Sequence, residues 1–346
     1  MIAMLIGLIG CIVIFQVLAV SERQKRTTTG AGDAQQNGLL GLYAIERDAR
    51  MAGYGFNYVP LLGCNVLGYD SNGARDFSFP LLPVRITDGA AGAPDSISFV
   101  YGSSALLVVP AKLTQTSGLT GTENKVANRF GFQIGEVMLI GEPGKDCTLR
   151  QVTSLPTAVG ATDQVHHTTP ARYNKPNGLP VSYTVWDNTT QTGGRLFGLG
   201  LAPVAGTYSV QNGELTFLNL LTDTTAVSVT DSIVQLQAEY GKDMNGDGRV
   251  DPAGAGGDVW EATMPVGATA TDWSRVLAVR IAVVARSAQP EALRPGQTAC
   301  DVTTAPPTWK NGTTPISVAS DPNWQCYRYR VFETTVPLRN LIWVAL

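Results

Sequence analysis

Only 15% of the 346 residues are charged, and the formal net charge is −3. A chain so poor in charge, with acids and bases near balance, offers no basic surface for nucleic acid, so DNA as a partner has no support from charge. Histidine occurs twice, as the neighbours His166 and His167, in a Thr/Pro-rich stretch that reads as a solvated loop. There is no GxSxG elbow, no HExxH helix, no GxxxxGK(S/T) phosphate loop and no GxGxxG opening a helix. No CxxC or cysteine–histidine cluster offers zinc a ligand set. These absences leave no nucleophile, base or phosphate cradle, and the chain is read as no enzyme.

What is present is concentrated at the start. The run MIAMLIGLIGCIVIFQVLAV is apolar except for Gln16, and no Lys or Arg precedes it. About 20 such residues suffice to cross a bilayer as one helix. A secretory signal would carry a basic start, a shorter apolar core and a small-residue cleavage site, and Ala19-Val20 is a poor one. Residues 1–20 therefore predict a transmembrane helix, and 21–53 its amphipathic continuation. The patch from Thr27 to Gly32 predicts a bend, with Asp33 capping the restart. Leu39, Leu42, Tyr43, Ile45, Ala49 and Ala52 fall on one face, with Arg47, Asp48 and Arg50 mostly elsewhere. Glu46 and Arg50 stand in the favourable order for a helical ion pair, and Gly53 and Gly55 stop the helix. At 1.5 Å per residue such a helix reaches about 75 Å.

Past Tyr54 the pattern changes to short runs of period two. With 37 glycines and 20 prolines, residues 54–346 read as one strand-rich head. Expected strands are Ser96–Tyr101, Ala105–Val109, Glu136–Ile140, Thr148–Thr153, Val181–Trp186, Glu214–Leu218, Ile233–Tyr240, Val276–Ala285 and Tyr327–Val336. Alternation in Ile233–Tyr240 and Tyr327–Val336 is that of antiparallel strands with one wet face. The fold expected is α+β: a long N-terminal helix, its first half transmembrane, packed on an antiparallel sheet with long loop insertions.

Cys11 lies in the apolar run, which leaves Cys64, Cys147, Cys300 and Cys326 in the head. An even number fits an oxidising compartment. Three pairings are open; the favoured one is Cys300–Cys326, closing a Thr/Pro-rich loop, with Cys64–Cys147. Trp309 and Trp324 lie within that loop as candidates for a partner surface. A second motif is Asp243-Met-Asn245-Gly-Asp247-Gly248-Arg249-Val-Asp251. Its oxygen side chains at positions one, three, five and nine, with glycine at six, match the start of an EF-hand-type loop, with the Arg249 carbonyl as main-chain ligand. The expected occupant is a structural Ca²⁺. Position twelve is Gly254 where a bidentate glutamate is usual, so Asp258 or Glu261 would have to fold back.

The apolar start, Gln36-Asn37-Gly38, and Glu46-Arg-Asp-Ala-Arg-Met-Ala-Gly-Tyr-Gly55 together resemble the PilW-type minor pilins of type IV pili. The stretch from Val234 to Gly248 and the run Tyr329-Arg-Val-Phe-Glu-Thr-Thr-Val-Pro-Leu-Arg-Asn340 are similar to that family's acidic-loop strand and closing strand. Residues 156–230 carry no such likeness. The resemblance implies a pilin-like filament subunit, held in the inner membrane with a periplasmic head and then packed helix-to-helix in the pilus. It implies other minor pilins, the major pilin and a tip adhesin as partners, with roles in twitching, adhesion or DNA uptake. The family's basic leader and Gly-Phe-x-x-x-Glu cleavage motif precede the apolar run, and no residue from Met1 onward supplies them. The competing expectations are a pseudopilin of type II secretion and a membrane-anchored periplasmic binding or adhesive module.

Overall fold

A computed structural model describes residues 2–342 apart from 57, 107–108, 179, 252–256, 292 and 294–296; the side chains of 2, 3, 5, 19, 20, 23, 26 and 342 are also outside the description. The chain opens in α1 (Ile2–Met51), a continuous 50-residue helix. Strands follow as β1 (Asn65–Asp70), β2 (Arg75–Pro80), β3 (Val84–Thr87), β4 (Ser96–Tyr101), β5 (Ala111–Lys112) and β6 (Glu123–Lys125). Next come β7 (Val137–Gly141), β8 (Cys147–Gln151), β9 (Gln164–His166), β10 (Arg195–Gly200), β11 (Val204–Gln211) and β12 (Glu214–Asn219). The last third holds β13 (Val227–Asp231), β14 (Ile233–Lys242), β15 (Val259–Glu261), α2 (Ala270–Ser274), β16 (Val276–Arg286), β17 (Thr308–Trp309), β18 (Thr314–Pro315), β19 (Tyr329–Pro337) and α3 (Arg339–Ile342).

These strands form three main sheets, ordered β2-β1-β8-β7-β10-β5, β13-β12-β11-β4-β3 and β15-β14-β16-β19. The first is mixed, because β1 runs parallel to β8. The expected α+β plan is therefore corrected. The molecule is strand-rich and divided among several sheets, and among the described residues no helix is long and apolar enough to cross a membrane.

The central sheet explains its own sequence. β16 reads VLAVRIAVVAR and is buried on both faces, as a near-continuous apolar strand must be. Val279, Ile281, Val283 and Ala285 point into the main core with α1, while Ala282 and Val284 meet Trp309, Ile316 and Val318 on the other side. The loop after Cys300 thus covers the back of the sheet. Trp309 is buried there and the partly buried Trp324 packs beside it, so of the two candidates for a partner surface Trp309 is spent on the core.

A second, smaller core gathers Leu113, Val126, Met138, Ile140, Val152, Val165, Tyr183 and Leu196. The Cys64–Cys147 and Cys300–Cys326 disulfides are present, spanning 83 and 26 residues. The first ties the segment after the helix to β8; the second closes the loop over the central sheet.

Candidate functional site

The head-facing side of α1 is lined by small residues. Gly30, Ala34, Gly38, Gly41, Ile45, Ala49 and Ala52 recur at intervals of three or four, the helical repeat. A Cβ on Gly38 would overlap the Phe332 ring; one on Gly41 would sit 3.1 Å from Leu215, and one on Gly30 3.4 Å from Ser287. The expected bend at Gly30–Gly32 is absent because Gly30 serves close approach to the head and not chain reversal. Its helix-propensity cost of about 1 kcal/mol is offset by packing on one side of the helix.

Polar groups fix the helix's end. Asp48, expected to face away, is buried and accepts the Tyr208 hydroxyl at 2.8 Å, with Arg47 at 2.9 Å. The Asp48 charge and burial push the Tyr208 and Tyr101 phenols up, burial contributing most. The Asn340 amide donates to the Met51 and Ala52 carbonyls at 3.2 and 3.0 Å, two of the acceptors a helix end leaves free. Gly53, at φ +82°, turns the chain so that its N–H meets the Val100 carbonyl. The Glu46–Arg50 ion pair is formed on the exposed side.

The opposite side of α1 is uncovered, and among its exposed polar residues it carries an apolar patch. Leu39 and Tyr43, expected among the packed residues, are 51% and 64% exposed, and Leu40 lies beside them. Toward the N-terminus Ile6, Leu8, Ile9, Val13, Phe15 and Val17 are all exposed. Exposed apolar surface on this scale marks a place where other protein or lipid sits.

The acidic loop joins β14 to β15 across the hairpin. The Asp243 carboxylate accepts the Gly246 and Gly248 amides at 2.6 and 2.8 Å. Asn245 accepts from Asp247 N–H, and Asp247 from Arg249 N–H. Asp258, which spacing marked only as a substitute ligand, is buried and accepts the Met244 and Asp251 amides, each at 2.9 Å. Those amides hold its pKa below the usual carboxylate value, the Asp251 bond contributing most. Gly246 and Gly248 both have positive φ, so the loop needs glycine there. Among the described residues no three His, Cys, Asp or Glu side chains gather as a metal site. Asp243, Asn245, Asp247 and Asp258 spend their oxygens on turning the chain; Gly254 lies outside the described residues.

The histidines are not a solvated pair. His166 lies on β9, half-buried, 3.4 Å from Glu123, and His167 is buried in the second core.

Residues 206–340 match the model of the family described as type IV pilus-assembly protein W, which supports a PilW-type family for the chain. No curated protein matches it. The matched segment holds β12 to β19 and most of β11. Tyr208, Leu215, Thr230, Ser287, Phe332 and Asn340, the groups on which α1 rests, all fall within it.

Proposed function

We propose, with the PilW-type family as premise, that this chain is a non-catalytic minor pilin that joins the priming or tip assembly of type IV pili. The match over residues 206–340 supports involvement in type IV pilus assembly and association with the envelope; the subunit role is the further step. The observation that carries it is the two-sided helix. One side is locked to the matched segment of the head by small residues and the buried Asp48, and the other presents Leu39, Leu40 and Tyr43 outward. Such a helix joins neighbouring helices without unfolding its head. In this reading residues 1–53 are the assembly element and 54–346 the outward head, periplasmic before assembly. The partners are other minor pilins, the major pilin and a tip adhesin.

Replacing Leu39 and Tyr43 by serine tests it. Both side chains are more than half exposed, so the head keeps its thermal midpoint while pilus number in a complemented deletion strain falls at least tenfold. Normal piliation with the double variant would sink the assembly role of this face.

For the acidic loop we propose a structural Ca²⁺, on the oxygen spacing of Asp243, Asn245, Asp247, Arg249 O and Asp251; each carboxylate oxygen that accepts one amide keeps a further lone pair. Calorimetry of the chelator-stripped protein with CaCl₂ tests it: saturable heat lost in Asp243→Ala supports the ion, and no heat refutes it.

A further inference from the structure

An open sheet edge runs beside the helix. β19 closes the order β15-β14-β16-β19 and pairs only with β16. At nine residues it is the longest edge strand of the three main sheets; β2 has six, β13 five, β3 four, β15 three and β5 two. Native folds keep edge strands short, covered or guarded by charge, because an exposed edge is a template for another strand.

The register shows which groups are free. The Leu338 N–H meets the Leu277 carbonyl at 2.8 Å, and the Ser287 N–H meets the Arg328 carbonyl at 2.9 Å. Hydrogen-bonded pairs alternate in an antiparallel ladder. With Val336 opposite Val279 and Phe332 opposite Val283, the even-numbered residues of β19 therefore turn their backbone groups to β16. Tyr329, Val331, Glu333 and Thr335 turn theirs outward, where no described residue meets them. Pro337, which has no N–H, ends this edge.

The helix lies lengthwise along the same strand. Gly30 approaches Ser287, which bonds Arg328; Gly38 abuts Phe332; and Asn340 caps Met51 and Ala52. The outward patch of Leu39, Leu40 and Tyr43 starts one residue past Gly38, so it continues from the half-buried Phe332 of the edge strand. A helix packed on that patch brings its own head alongside β19. Charge narrows the fit further. The Glu333 carboxylate is spent on the Lys310 and Asn311 N–H groups, at 2.8 and 3.3 Å. Arg330 is exposed, and no described carboxylate pairs with it. We propose that the free edge of β19 takes an extended strand from the head of a neighbouring pilin-type subunit, with an acidic side chain across from Arg330. Phe332, Thr334 and Val336 share the face of Arg330, so a second copy of β19 offers no such acid, and the neighbour is a different subunit. This rests on the subunit role proposed for α1 and adds main-chain pairing of heads to the packing of helices.

Thr335→Pro tests it, because it removes one outward N–H and leaves the ladder to β16 intact, a place where edge strands tolerate proline. In a complemented deletion strain pilus number is expected to fall about tenfold, the scale of one lost intermolecular hydrogen bond, with the thermal midpoint of the full chain in detergent micelles unchanged. Normal piliation in Thr335→Pro beside impaired piliation in Leu39→Ser/Tyr43→Ser overturns the edge pairing and leaves the helix role standing. Normal piliation in both overturns the two together. Should Thr335→Pro lower the midpoint, hydrogen exchange of the wild-type chain decides. The peptide over residues 329–337 is expected to exchange more slowly in sheared filaments than in micelles, and equal exchange overturns the pairing.

Discussion

Gly38 shows how much of this molecule is decided by single atoms. Alanine is the better helix former by about 1 kcal/mol, and on an exposed face Gly38→Ala would stabilise α1. Here the new methyl group meets the Phe332 ring, and overpacking of this kind costs typically 1–3 kcal/mol. Packing wins, so Gly38→Ala should lower stability by about 1 kcal/mol in urea denaturation, whereas Gly32→Ala, with open space around it, should raise it. A second residue-scale effect is pH. Burial raises the Asp95 carboxyl to about 6, against the bonds it accepts from the Gly89 and Ala238 amides. The folded state then holds the extra proton between about pH 4 and 6, so this group's contribution to stability falls as pH rises through that window, by on the order of 3 kcal/mol. His167 acts in the opposite sense: burial lowers it to about 3, the unfolded chain takes the proton, and stability rises from about pH 3 to 6.5. The two largely cancel. Asp95→Asn should therefore steepen the rise of stability between pH 4 and 6 relative to wild type, and parallel pH profiles would show that Asp95 does not carry this charge effect.

At the scale of elements, legibility followed locality. β4, β12, β14, β16 and β19 lie close to where period-two alternation and apolar runs put them, because those patterns report burial directly. β1, β10 and β11 were not legible. Gly68, Gly198 and Gly206 interrupt their patterns, and their partners are set by long-range pairing such as the parallel contact of β1 with β8. Val181–Trp186 has the composition of a strand but is not one, and Ala105–Val109 includes residues 107–108, which lie outside the described residues. The helix's packed face was half legible: Leu42, Ile45, Ala49 and Ala52 are buried, but the glycines that continue the stripe carry no hydrophobic signal. His167 gave none either, since burial of a loop histidine depends on strands distant in sequence. The disulfides act at this scale too. By loop-closure entropy, Cys64–Cys147 stabilises by about 4.5 kcal/mol and Cys300–Cys326 by about 3.5 kcal/mol. Cys64→Ala/Cys147→Ala should therefore lose more in thermal midpoint than Cys300→Ala/Cys326→Ala; the reverse order would mean that the loop over β14 and β16 depends more on its staple than the first sheet does.

The whole molecule is a long helix with one side committed to a strand-rich head and the other presenting the exposed patch Leu39, Leu40 and Tyr43. A weakly charged head with two disulfides suits an oxidising compartment, and the PilW-type segment is the part that grips the helix. Isolated in water, the exposed residues from Ile6 to Leu18 would drive association of helices, and in the proposed filament role that same tendency supplies the assembly force. The direct test is quantitative mass spectrometry of filaments sheared from cells carrying the wild-type chain, beside the same fraction from a deletion strain. Peptides of the head should appear in the sheared fraction at a small ratio to the main subunit, and the deletion should lose surface pili until the wild-type gene is restored. A head never recovered with filaments, in cells that remain fully piliated without it, would contradict a role in pilus assembly.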